Sequence, residues 1–174
     1  MTRYWIACCG LLFFALTAQA AQGPAAKVAP DVLVAKAQRK PAPDFTLTDA
    51  QGRPVTFAAF KGKVVLLDFW AVDCVGCKLE VPWYVEFDQK YRAKGLAIIG
   101  VTMYGEGWDV VKPFMAKQHM EYPVVLGSDA LAGKYNVTDM PTTLLIDKQG
   151  KIALTHVGVV DKADFESHIR ELLQ

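Results

Sequence analysis

The chain has 174 residues, 52% of them hydrophobic and 21% charged, a length that suits one compact core and no large second domain. Charge is nearly balanced, with 19 Lys and Arg against 18 Asp and Glu. This excludes a disordered or low-complexity chain, and with no basic stripe or acidic tail it argues against a nucleic-acid partner.

Met1–Ala20 has the layout of an export signal. Arg3 gives a short positive start, an apolar run extends from Trp5 to Leu16, and Ala18-Gln19-Ala20 supplies the small-x-small cleavage pattern. About 12 apolar residues are too few to cross a ~30 Å hydrocarbon layer comfortably, so cleavage after Ala20 is expected, with retention as an anchor as the alternative. Cys8-Cys9-Gly10 sits too early in that run for a lipoprotein signal. Removing residues 1–20 leaves two of the four cysteines, Cys74 and Cys77, in a compartment that permits disulfides.

Residues 21–40, rich in Ala, Pro, Lys and Gln without sustained periodicity, are expected to be a flexible linker, with the folded domain at 41–174. Pro41–Asp44 is extended, and Phe45–Thr48 and Pro54–Phe57 form a hairpin about the turn 49–52. Val64–Trp70 is a near-continuous apolar run, the mark of a strand buried on both faces. A helix from Cys74 to about Arg92 follows, kinked at Pro82. Leu96–Thr102 is a second buried strand, Trp108–His119 a helix, Pro123–Leu126 a short strand and Asp129–Tyr135 a short helix. Thr142–Asp147 and Lys151–Val157 flank a hairpin turn. Asp161–Leu173 closes as an amphipathic helix with Phe165, Ile169 and Leu172 on one face. Strand–helix–strand followed by a hairpin and a helix predicts a three-layer α/β/α fold around a mixed sheet.

Cys74-Val75-Gly76-Cys77 opens a helix directly after a buried strand. Positions three apart in a first turn share a face and come within disulfide reach. The unpaired N–H groups of the helix start favour a thiolate at Cys74, making it a nucleophile and a leaving group, with Cys77 placed to resolve a mixed disulfide. Two other readings of the pair are a stabilising disulfide, whose tiny loop yields little chain-entropy gain, and a zinc site, which normally takes four ligands although His119, His156 and His168 lie far away in sequence.

The run Phe69-Trp70-Ala71-x-x-Cys74-x-x-Cys77-Lys78-x-Glu80-x-Pro82 resembles the thioredoxin superfamily, in its TlpA/ResA/DsbE-like periplasmic branch. Met140-Pro141-Thr142-Thr143 is similar to that family's cis-proline loop. Ala42-Pro43-Asp44-Phe45, the insert between the second buried strand and Pro123, and Tyr135 through Ile152 match the branch as well. The resemblance covers about residues 41–174 and implies a thioredoxin fold with an N-terminal β-hairpin and a central insert, and thiol–disulfide exchange without an organic cofactor. Two positions depart from the pattern: Asp73 stands where Trp is usual, and Gly76 where Pro is common. An acid beside Cys74 disfavours its thiolate.

Asp68 is a carboxylate inside an apolar strand, where burial raises its pKa. The resemblance implies that it relays protons for Cys77. Glu80, three residues past Cys77, shares its helix face, and the family match implies that it tunes the thiols. The resemblance also implies a cis bond before Pro141, with the Met140 backbone pairing to an extended substrate, and places Trp70 beside the site as a substrate-binding residue. The resulting expectation is an exported, periplasmic enzyme that reduces disulfides of proteins such as an apocytochrome c. It would be re-reduced by a DsbD/CcdA-like membrane electron carrier. A peroxiredoxin shares the fold but needs a Pro and Thr/Ser constellation before its cysteine, which the run before Cys74 lacks. A copper-binding or docking module using the same thiols is the non-enzymatic alternative.

Overall fold

The computed structural model describes residues 31–174, so the expected export signal and residues 21–30 lie outside the described residues. Residues 31–40, expected to be a free linker, are instead packed on the domain. The Val34 N–H donates to the Ala153 carbonyl at 2.8 Å, and the Ile152 N–H donates to the Lys40 carbonyl at 2.9 Å. Between them, Lys36–Gln38 makes one 3-10 turn. The Arg39 guanidinium is buried and meets Asp147 at 3.1 Å. Backbone pairing, the Arg39–Asp147 ion pair and the contacts of Asp31 with His156 and His168 hold this arm, so no apolar periodicity announces it. In comparable buried pairs, removing one partner costs about 3–5 kcal/mol.

The remaining elements lie within a residue or so of expectation. Strands β1 (Thr46–Thr48) and β2 (Pro54–Thr56) form the hairpin, with Gly52 at φ 79° in its turn. Strand β3 is Val64–Trp70 and helix α1 is Val75–Tyr91. Strand β4 (Leu96–Thr102), helix α2 (Trp108–Gln118) and strand β5 (Val124–Leu126) follow, with α2 in the expected central insert before Pro123. Helix α3 (Asp129–Lys134), strands β6 (Thr142–Ile146) and β7 (Ile152–Val157), and helix α4 (Lys162–Leu173) complete the domain. Pro82 does not interrupt α1. Both Pro82 and Lys78, whose carbonyl a proline cannot bond, are exposed, so the lost helix bond falls on the solvent-facing side of α1.

The five-stranded sheet has the order β5-β4-β3-β6-β7, with β3, β4 and β5 parallel and β6 and β7 antiparallel. Every residue of β3 and β4 is buried because both sheet faces are covered. One face packs Leu66, Trp70 and Ile98 against Tyr84 and Phe87 of α1, Phe114 of α2 and Phe165 of α4. The other packs Leu67, Phe69 and Val101 against α3, Tyr135 and the hairpin's Val55. This is the expected three-layer α/β fold around a mixed sheet. One row of its register bears on function: Gly100, Asp68, Thr143 and His156 stand opposite one another across β4, β3, β6 and β7. Side chains at such positions project from the same face of the sheet.

Candidate active site

The chain leaves β3 at Trp70, turns through Ala71–Asp73, and enters α1 with Cys74 as the N-cap. A Cys74 N–H to Ala71 carbonyl bond of 3.2 Å closes the turn. The Cys74 sulfur accepts from the Cys77 N–H at 3.1 Å, one of the unpaired donors of a helix start. Cys74 and Cys77 are joined as a disulfide, Cα to Cα 5.3 Å. The two sulfurs differ in access: Cys74 is half-buried, while Cys77 is 1% exposed. A visiting molecule can reach the first, and only groups inside the protein can reach the second. Asp73 is exposed, so water and salt weaken its repulsion of a Cys74 thiolate. Among the described residues, no group of three or more His, Cys, Asp or Glu side chains is arranged to hold a metal ion.

Two buried carboxylates lie on the inner side of the pair, each 1% exposed. Burial pushes the Asp68 carboxyl well above its ordinary range, and the neighbouring Glu80 charge pushes the same way, against the Thr143 hydroxyl. Glu80 is on the α1 face that carries Cys77, Val81 and Tyr84. Burial raises its pKa to about 7, although the Val160 N–H, the Tyr84 hydroxyl and His156 favour the ionised form. Its Oε1 accepts from the Val160 N–H at 2.8 Å. Asp68 Oδ1 and Glu80 Oε2 have no hydrogen-bond partner, which leaves each free to take up a proton. Tyr84 and Thr143, both fully enclosed, join hydroxyls at 2.9 Å between them.

The Met140–Pro141 bond is cis, as the resemblance implied. Pro141 sits directly against the Cys pair: a Cβ built on Gly76 would lie 3.0 Å from Pro141 Cδ and 2.9 Å from Val159 Cγ2. Gly76 is therefore the residue that lets these loops close on the disulfide, and a Pro there would have to displace Val159. The Pro141 carbonyl accepts from the Gly158 N–H at 2.8 Å. The Met140 N–H donates to the exposed Asp139 carboxylate at 2.8 Å.

Trp70, expected among the substrate-binding residues, does not reach the surface. It is 0% exposed and stacks on Phe114 with ring centroids 5.1 Å apart. As the last residue of β3 it follows the alternation of Leu66 and Asp68 into the sheet face beneath α1 and α2. Val75 and Leu79, 76% and 55% exposed, with Val159 provide the apolar surface near the sulfurs.

Glu106 went unnoticed in the sequence. From the loop after β4 its Oε1 accepts the Val72 N–H at 2.8 Å, and its Oε2 takes the Thr102 hydroxyl. It thereby holds the turn that presents Cys74. The loops after parallel neighbours β3 and β4 open at the same sheet edge, and that topological fact was the available signal.

Residues 39–155 match the model of the AhpC/TSA family, a span that includes both cysteines, both carboxylates and Pro141. The thiol-disulfide oxidoreductase ResA of Geobacillus kaustophilus is 35% identical over 132 residues, 75% of each chain. ResA of Bacillus cereus is 34% identical over 134 residues, 76% of this chain and 77% of that one. The crystal structure of a thioredoxin-family thiol:disulfide interchange protein from Chlorobium tepidum superposes with a TM-score of 0.74 at 30% identity, over 80% of this chain and 100% of that one. The chain belongs to the AhpC/TSA family and is a thioredoxin-fold thiol-disulfide oxidoreductase related to ResA.

Proposed function

We propose that the protein reduces disulfides in proteins outside the cytoplasm, with residues 1–20 as its export signal and the residues before 31 as a spacer. The reading rests on one observation, the unequal access of the two sulfurs above two proton-accepting carboxylates. The Cys74 thiolate, favoured by the helix start, attacks one sulfur of a client disulfide. The other client sulfur leaves as a thiolate and takes a proton from water. Cys77 then gives its proton to Asp68 or Glu80 and attacks Cys74 Sγ, which expels the second client thiolate and regenerates the Cys74–Cys77 disulfide. Two electrons pass to the client. A DsbD/CcdA-like membrane carrier returns them, and an apocytochrome c suits the client role. The exposed apolar surface about Val75, Leu79 and Val159 and the Met140 backbone would receive an extended segment of that client by strand addition.

A Cys77→Ala variant expressed in the native host tests this reading. It should accumulate as covalent adducts on Cys74 that dithiothreitol releases, and mass spectrometry of the released proteins should identify exported clients. Failure to capture any protein, or equal capture by a variant lacking both cysteines, would overturn it.

A further inference from the structure

A proton handed to Asp68 or Glu80 has to leave a closed pocket. Asp68, Glu80, Tyr84 and Thr143 are each at most 1% exposed. The register row of the sheet offers a way out. Thr143 stands between Asp68 on β3 and His156 on β7, and its hydroxyl bonds that of Tyr84, which lies over Glu80's helix face. Cross-strand neighbours of this kind have Cβ atoms about 4.5–5.5 Å apart. His156 is the next titratable group along the row, its side chain is 11% exposed, and its Nδ1 lies 2.7 Å from Asp31 Oδ2 on the docked arm. A carboxylate at that distance accepts from the Nδ1–H, which leaves Nε2 as the ring's second proton-carrying atom. Asp31 is itself held over α4: its N–H donates to Asp164 Oδ2 at 3.2 Å, and His168 Nε2 lies 2.9 Å from its carbonyl.

We propose that His156 is the exit through which the Asp68–Glu80 pocket exchanges protons with solvent, receiving them by way of the Thr143 and Tyr84 hydroxyls and releasing them to water, with Asp31 orienting the ring. The inference rests on the reading of Asp68 and Glu80 as proton acceptors for Cys77. In the resolving step the Cys77 proton moves to a carboxylate and then to His156 and water, while the electron pair it leaves forms the bond to Cys74. The charged groups facing His156 are Asp31 from the arm and Glu80 from α1, with Asp164 and His168 of α4 one contact further out. His156 lies close enough to Glu80 to favour its ionised form. In this account the arm of residues 31–40 completes the active site as well as covering the sheet.

Single-turnover reduction of a disulfide-bonded peptide, followed from pH 5 to 9, tests this with the purified protein and its His156→Gln, His156→Ala and Asp68→Asn variants. His156→Gln should slow the resolving step about tenfold or more and change the shape of its pH profile, and added imidazole should restore rate to His156→Ala. A slowed His156→Gln with an unchanged profile and no imidazole rescue would make His156 a clasp for the arm and overturn the proposal. If His156→Gln matches the parent while Asp68→Asn is impaired, the exit lies elsewhere. If Asp68→Asn also matches the parent, the proton-acceptor reading beneath it falls as well.

Discussion

Replacing Cys74 with Ser is expected to lower reduction of a model protein disulfide by at least about a thousandfold, to the level of the thiol donor alone. A serine hydroxyl is not ionised by a helix start and can form no bond of the S–S type, so both the attack and the mixed intermediate disappear. The fold should survive, because Ser is among the preferred N-cap residues and can accept the Cys77 N–H that the sulfur now holds. The assay is turnover of insulin disulfides with dithiothreitol as donor, alongside circular dichroism to confirm folding. A folded Cys74→Ser protein within tenfold of the parent would place the reacting group elsewhere.

Glu80→Gln should change how stability depends on pH. In the folded, oxidised protein Glu80 keeps its proton up to about pH 7, whereas an unperturbed glutamate releases it near 4.5. The folded state therefore binds the extra proton between those values. Its stability contribution is fully present below about pH 4.5 and is lost as pH rises through 7. At about 1.4 kcal/mol per unit the loss is about 3 kcal/mol. Asp68, also raised, adds a slope of the same sign that the variant retains. Urea unfolding of both proteins should thus show Glu80→Gln equal to the parent near pH 4.5 and about 3 kcal/mol more stable above pH 7. A difference that stays constant with pH would mean that folding leaves the Glu80 pKa unshifted.

The sheet could be read from the sequence because its signals are local. Val64–Trp70 and Leu96–Thr102 are unbroken apolar runs, and each is buried along its whole length. Asp68 stood out as one carboxylate in such a run, and the cysteine spacing places itself on a first helical turn. What escaped depends on chain-distant contacts. Arg39 finds Asp147 across 108 residues, Glu80 finds the Val160 N–H across 80, and Glu106 finds Val72 across 34. No periodicity encodes those pairs, which exist only once the strand order brings loops together. Residues 31–40 show the same limit: their bonds to β7 and Asp147 are backbone pairings and isolated polar contacts that a Lys-, Ala- and Gln-rich composition does not announce. Trp70 shows the converse: it belongs to the motif that carries the resemblance, while strand alternation sends its ring into the core.

Cys74 and Cys77 form one reversible two-electron couple. Equilibrating the protein in buffers of graded dithiol/disulfide ratio, then alkylating free thiols and weighing the products, measures it directly. The account predicts a single transition in which Cys74 and Cys77 become alkylated together, with the populations shifting tenfold for each ~30 mV. A pair that stays closed under strongly reducing buffer, or two cysteines that react independently with no oxidised state to return to, would contradict it.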